Sequence, residues 1–137
     1  MRIMGIDFGT KRIGIAISDE LLLTAQGMNS LQSKELKADL DEITKLVLEN
    51  GVEEVIVGLP LNMNGTYSAK TREVVEFADQ LSKVLSVPVK TWDERLTSMQ
   101  AERILLEADA SRAKRRKVTD KLAAQIILQS YLDSRKR

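Results

Sequence analysis

Three acidic positions could carry chemistry in this chain. Asp7 interrupts the apolar run Arg2-Ile3-Met4-Gly5-Ile6-Asp7-Phe8-Gly9-Thr10. Asp93 and Glu94 follow Val87-Pro88-Val89-Lys90-Thr91-Trp92, and Asp120 opens the last apolar stretch. Burying a carboxylate is costly unless it is paired or holds a metal. Acids at the ends of three buried elements therefore point to a cation site. The chain contains no histidine and no cysteine, which removes imidazole and thiolate ligands, the serine-histidine triad and any disulfide. A metal bound here must be held by oxygen, which favours Mg²⁺ or Mn²⁺.

Each acid has a bland role beside the functional one. Strand side chains alternate, so Ile3, Gly5 and Asp7 share one face and Met4, Ile6 and Phe8 the other. Gly5, Gly9 and Gly14 leave room around Asp7 for a ligand, although an Asp at a strand end also bonds the following turn. Asp93 and Glu94 lie at the carboxyl end of a predicted strand, where sites form in open α/β sheets. Adjacent residues face opposite ways, so only one of the two can share a cation with Asp7. The other is left to pair with Arg95 or to cap the next helix. Asp120 falls in the first turn of the last predicted helix, where the helix dipole favours an acid in any case. It also shares a helical face with Ala124 and Ile127, which continues the inward stripe.

Weaker candidates surround these acids. Lys11 and Arg12 in the first turn are placed to meet a phosphate. Pro60, Asn62, Asn64 and Gly65 form a polar loop after a strand, and Arg95 and Thr97 follow the second acidic block. The net charge is only +1, yet Arg112, Lys114, Arg115, Arg116 and Lys117 form a basic run and Arg135-Lys136-Arg137 ends the sequence. Residues 35–54 are acid-rich. This asymmetry suggests an anionic partner toward the C-terminal side. Trp92 reads as core or platform.

The elements that must position these groups follow from periodicity. Residues 2–8 and 13–18 predict a hairpin closed by Gly9-Thr10-Lys11-Arg12. Its second strand alternates Ile13, Ile15 and Ile17 with Gly14, Ala16 and Ser18, giving a bulky face and a small face. A weaker strand covers 25–31, and Leu36, Leu40, Ile43 and Val47 predict a helix stopped at Asn50-Gly51. Glu54 to Gly58 reads as a buried parallel strand. A helix capped by Thr66 or Ser68 then turns Val74, Phe77, Ala78, Leu81 and Leu85 inward. Residues 87–92 make a fifth strand, and Thr97 starts another helix. The basic run reads as a loop, and Leu122, Ala123, Ile126, Ile127 and Leu132 mark the last helix. The order βββαβαβαα implies an α/β fold with a mixed five-stranded sheet and helices on both faces.

The 137 residues suffice for one domain with a substantial core, and 43% apolar with 30% charged residues fits a soluble globular protein. No apolar stretch reaches membrane-span length, and the N-terminus lacks a signal-peptide layout, so the expected compartment is the cytoplasm without a membrane partner.

Four blocks together carry a resemblance. These are Gly5-Ile6-Asp7-Phe8-Gly9-Thr10-Lys11-Arg12-Ile13-Gly14, Val57-Gly58-Leu59-Pro60-Leu61-Asn62-Met63-Asn64-Gly65, Asp93-Glu94-Arg95-Leu96-Thr97-Ser98 and Asp120-Lys121-Leu122-Ala123-Ala124. In that order they resemble the YqgF/RuvX-type pre-16S rRNA nucleases, distant relatives of the RuvC Holliday-junction resolvases within the ribonuclease H-like fold. The resemblance implies one nuclease domain over residues 1–137, cutting structured RNA at the 5′ end of the 16S rRNA precursor, on its own or on the ribosome. It implies Asp7, Glu94 (with Asp93 next in line) and Asp120 as catalytic acids and metal ligands. Two Mg²⁺ or Mn²⁺ ions would activate water and stabilise the charge of phosphodiester hydrolysis, with Asp7 as the bridge. Lys11, Arg12 and the basic run would hold phosphates, helped by Asn62, Arg95 and Thr97. Asn64 stands where many members carry Asp, and no further glycine follows Gly65, which departs from the family's loop.

Other readings compete. The opening motif also resembles the first phosphate loop of actin-like ATPases such as Hsp70 chaperones, but those clasp nucleotide between two lobes and this chain offers one. A junction-resolving DNA endonuclease would dimerise to cut symmetrically, which leaves branched DNA as a substrate and the state between monomer and homodimer. A binding protein that keeps the fold without cleavage is the third alternative.

Overall fold

The computed structural model describes residues 1–95 and 112–135, with side chains from 1–95 and 122–135. Alternation of isoleucines with small residues builds the first hairpin: β1 (Arg2–Phe8) pairs antiparallel with β2 (Arg12–Ser18), placing Asp7 opposite Gly14 and Phe8 opposite Ile13. The turn closes through the Gly9 amide, which donates to the Arg12 carbonyl at 2.9 Å. A Cβ at Gly9 would lie 2.5 Å from that oxygen, so only glycine closes the turn this tightly. β3 (Ala25–Gln32) continues the antiparallel meander beside β2.

On the other side, β4 (Val52–Leu59) runs parallel to β1, and β5 (Val89–Asp93) runs parallel to β4. The sheet order is β3-β2-β1-β4-β5, a mixed five-stranded sheet as expected. Three helices are described: α1 (Leu36–Glu49), α2 (Ala69–Val84) and α3 (Arg112–Arg135). Ser68 caps α2 in a reciprocal box with Thr71, whose hydroxyl also donates to the Pro60 carbonyl and ties the helix start to the end of β4.

The two faces of the sheet differ by residue size. Met4, Ile6, Ile13, Ile15, Val55 and Val57 pack with Leu40, Ile43 and Val47 of α1 and with Val74, Phe77 and Leu81 of α2. The opposite face, formed by Ile3, Ala16 and Ile56, meets Ala124, Ile127, Leu128, Tyr131 and Leu132 of α3. The small face of β2 is thus the one α3 covers. Gly5 permits the closest approach, because a Cβ there would come 2.7 Å from Leu128 Cβ and 3.1 Å from the Ala124 carbonyl.

Several expectations change. The basic run 112–117 is not a loop: the backbone is helical from Arg112, so Asp120 lies mid-helix rather than in a first turn. Alanine, lysine and arginine are strong helix formers and no glycine or proline interrupts them, so propensity carries the helix where apolar periodicity is missing. Leu36, the first residue of that spacing, is 49% exposed. Asp39 is buried, accepting from Ser33 Oγ at 2.8 Å and the Lys34 amide at 3.0 Å. The helix expected from Thr97 lies outside the described residues.

Candidate active site at the carboxyl edge of the sheet

Because β1, β4 and β5 run in the same direction, their carboxyl ends share one edge. Leu59 is level with Asp93, and the Glu94 amide donates to the Leu59 carbonyl at 3.2 Å, which holds Glu94 against the end of β4. Asp7 arrives at the same edge one residue before β1 ends.

Asp7 and Glu94 lie on the face covered by α3. Asp7 shares the parity of Gly5, over which Leu128 and Ala124 sit. Gly58 shares the parity of Ile56, and a Cβ built on it would collide with both Glu94 Oε2 and Ile127 Cδ1. Glu94 therefore folds its carboxylate over a glycine into space that any other residue would fill. Its Oε2 is buried. Burial pushes the Glu94 carboxyl up to about 7, the negative charges of Asp7 and Asp93 push the same way, and the Lys70 ammonium opposes them. Burial and the charge of Asp7 thus both disfavour the ionised Glu94, and a cation bound there would relieve that cost. The hard oxygen donors of Asp7 and Glu94 suit Mg²⁺ or Mn²⁺. Among the described residues no group of three acids converges; the Asp120 side chain is not among them.

Asp93 has a different task. Its carboxylate takes Arg95 Nε at 3.1 Å and 2.9 Å, Arg95 Nη2 at 2.7 Å and the Arg95 amide at 3.0 Å. The side-chain bonds to Arg95 hold its carboxyl below the usual carboxylate range. Of the adjacent pair, Asp93 is engaged by Arg95 and Glu94 faces Asp7, the division that strand alternation leaves open in sequence.

The backbone of α3 brings a third acid to this edge. Ala124 lies over Gly5, whereas Tyr131 donates its hydroxyl at 2.6 Å to Glu54, which pairs with Ile3 near the start of β4. The helix therefore runs opposite to β1, and residue 120, one turn before Ala124, lies roughly 6 Å further toward the carboxyl ends. At the far end, buried Glu54 also accepts from Lys90 at 3.0 Å and Arg135 at 3.1 Å. Trp92 packs edge-on against Tyr131 at 5.3 Å and donates to Ser130 at 3.2 Å, so it is a platform for α3.

Lys11 and Arg12 are exposed in the β1–β2 turn, on the same edge as Asp7. Asn62 is exposed in a loop pinned by the Leu61–Tyr67 bridge, and its Nδ2 donates to Thr66 Oγ1 at 3.0 Å. Arg95 Nη1 reaches the Met63 carbonyl at 3.4 Å, linking this loop to the acidic block. Thr97 is outside the described residues, as are the side chains of Arg112, Lys114, Arg115, Arg116, Lys117 and Asp120. One residue of the site escapes sequence reasoning. Gly58 carries a signal, a glycine closing an otherwise β-branched buried strand.

The match to known proteins spans the chain. The family model described as "RuvX: Holliday junction resolvase" covers residues 1–134. Proteins named "Putative pre-16S rRNA nuclease" are 51% identical in Clostridium novyi, over 98% of this chain and 99% of the relative, and 56% identical in Syntrophomonas wolfei, over 97% and 94%. Among solved structures, Thermus thermophilus RuvC in complex with a Holliday junction substrate superposes with a TM-score of 0.62 at 18% identity, covering 99% of this chain and 96% of that one. Fowlpox virus resolvase with its junction DNA gives 0.64 at 14% identity, over the whole of both chains. These two carry the fold alone, which is ribonuclease H-like. Identity above one half over nearly the full length carries the kinship, and the chain belongs to the RuvX family of nucleases.

Proposed function

We propose that this chain is a divalent-metal-dependent endonuclease that cuts structured RNA in the cytoplasm, processing the 5′ end of the 16S rRNA precursor during ribosome biogenesis. The observation that carries the reading is the convergence of Asp7 and Glu94 on one face of the sheet edge, with a glycine beneath Glu94. Asp7, Glu94 and Asp120 are the acids that would hold Mg²⁺ or Mn²⁺. The bound metal supplies activation of water and neutralisation of charge on the phosphoryl oxygens. Asp93 fixes Arg95, and through it the loop at Met63. Lys11, Arg12, Asn62 and Arg95, with Thr97 and the basic side chains of 112–117, are the groups to hold the nucleic acid backbone, so binding falls as salt rises. The names of the relatives favour the rRNA precursor as substrate.

A second reading, a resolvase cutting branched DNA as a homodimer, is favoured by the family description. One experiment separates the two. Labelled precursor-rRNA fragments and a four-way DNA junction are incubated with Mg²⁺, Mn²⁺ or EDTA, using wild type, Asp7→Asn, Glu94→Gln and Asp120→Asn. Metal-dependent cutting of RNA alone, lost in all three variants, is expected. Symmetric junction cutting would move the assignment to resolvase, and binding without cleavage under any metal would leave a non-catalytic nucleic-acid-binding protein.

A further inference from the structure

Two asparagines of this chain precede a glycine, in Asn50-Gly51 and Asn64-Gly65. An amide in that setting can react with its own backbone, because the glycine nitrogen has no side chain beside it to shield it. Alike in sequence, the two differ in their contacts. Asn50 ends α1, where its Nδ2 donates to the Leu46 carbonyl at 2.8 Å and its own amide to the same oxygen at 3.1 Å. Asn64 is exposed in the loop after β4, and its Oδ1 accepts from the Thr66 amide at 3.1 Å and the Thr66 hydroxyl at 2.6 Å. The loop fixes Thr66 in turn. Asn62 donates its amide to the Thr66 carbonyl at 2.9 Å and its Nδ2 to Thr66 Oγ1 at 3.0 Å.

We propose that Asn64 is a modification site activated by its own loop, an asparagine that converts to aspartate or isoaspartate through a succinimide. The Gly65 nitrogen attacks Asn64 Cγ, a new C–N bond closes the ring, and negative charge grows on Oδ1. Two donors already aimed at that oxygen stabilise the charge, as in an oxyanion hole. The bond from Asn62 polarises the Thr66 hydroxyl further. Water in the exposed loop takes the Gly65 amide proton, which otherwise points at the Asn62 carbonyl at 2.8 Å. The Cγ–Nδ2 bond then breaks, the nitrogen takes up a proton and leaves as ammonia, and water opens the ring to a carboxylate. At Asn50 the nitrogen that must leave is the one held by Leu46, so the helix end resists the same reaction. Residue 64 lies between two positions that abut Arg95, whose Nη1 is 3.4 Å from the Met63 oxygen and 3.3 Å from where a Cβ on Gly65 would stand. The new carboxylate therefore appears beside that guanidinium.

The test is peptide mass mapping of the intact protein during incubation in mildly alkaline buffer, beside the same protein unfolded in urea. The mass gain of an amide turned to an acid is scored at both asparagines. Unfolded, the two sites are expected to react at similar rates; folded, Asn64 should outpace Asn50 about tenfold. Thr66→Val keeps the branched shape and removes the hydroxyl. It should slow Asn64 about three- to tenfold, with Asn50 unchanged, while Thr66→Ser keeps the wild-type rate. Equal rates at the two sites in the folded protein would overturn the proposal. So would a Thr66→Val protein whose Asn64 reacts as fast as wild type or faster, because loop freedom and not the two donors would then set the rate.

Discussion

Replacing Glu94 by glutamine should stabilise the metal-free protein while destroying its response to metal. The Glu94 carboxyl is pushed from an ordinary 4.5 up to about 7 by burial and by Asp7 and Asp93. A carboxyl whose proton is held more tightly in the folded state destabilises that state once the unfolded chain has released it. The penalty begins as pH rises through 4.5 and is complete above about 7. That gap corresponds to about 3 kcal/mol, and partial exposure of the residue brings the expected effect to about 2 kcal/mol. Urea unfolding in EDTA at pH 5 and pH 8 reads this directly. Wild type should lose about 2 kcal/mol more than Glu94→Gln between the two, leaving the variant the more stable at pH 8. Saturating Mg²⁺ should reverse the ranking, because ligand binding stabilises only the protein that binds it. If Glu94→Gln is no more stable than wild type at pH 8 in EDTA, burial and the neighbouring acids do not penalise the Glu94 charge and the reasoning fails.

Other outcomes follow from the same contacts. Gly58→Ala drives a methyl into Glu94 Oε2 and Ile127 Cδ1; a loss of about 1–3 kcal/mol together with loss of cleavage is expected in paired unfolding and nuclease assays. Tyr131→Phe removes the 2.6 Å hydrogen bond to buried Glu54, and denaturation should show a cost of about 1.5–3 kcal/mol. Arg95→Met frees Asp93 and unties Met63; cleavage should fall about 10- to 100-fold, the scale for supporting residues around a metal, with Lys at this position recovering little because the fork is lost. Glu54 is held below the usual carboxylate range, with Tyr131 and Lys90 chief among the groups that overcome the cost of its burial. Its contribution to stability is therefore present above 4.5 and lost as pH falls through the lower folded value, which acid unfolding of Glu54→Gln beside wild type would reveal.

Much of the scaffold was legible because it rests on short-range rules. Isoleucine alternation in β2 separates a bulky from a small face, and parity places Asp7 with Gly5. What failed depends on partners distant in sequence or on propensity without pattern. Residues 112–117 lack apolar periodicity, so a helix there was invisible to a moment argument. Asp39 faces inward because Ser33 and Lys34 happen to offer donors, which spacing does not encode. Alternation alone allowed either Asp93 or Glu94 to face Asp7; the choice lies in where the chain leaves β5 and how Arg95 folds back.

The glycine-lined bed under α3 has a mechanical consequence. From Tyr131 back to residue 120 the helix spans roughly 16 Å, and it is riveted to the sheet at its rear by Glu54 and pressed down at its middle onto Gly5. A rigid rod fastened at those two points behaves as a cantilever, so the height of its forward end above β1 is set by contacts behind the acidic edge. Adjusting the rear rivet should tune the geometry of the front by fractions of an ångström. Selection could then grade the rate of such a nuclease without altering any of its acids.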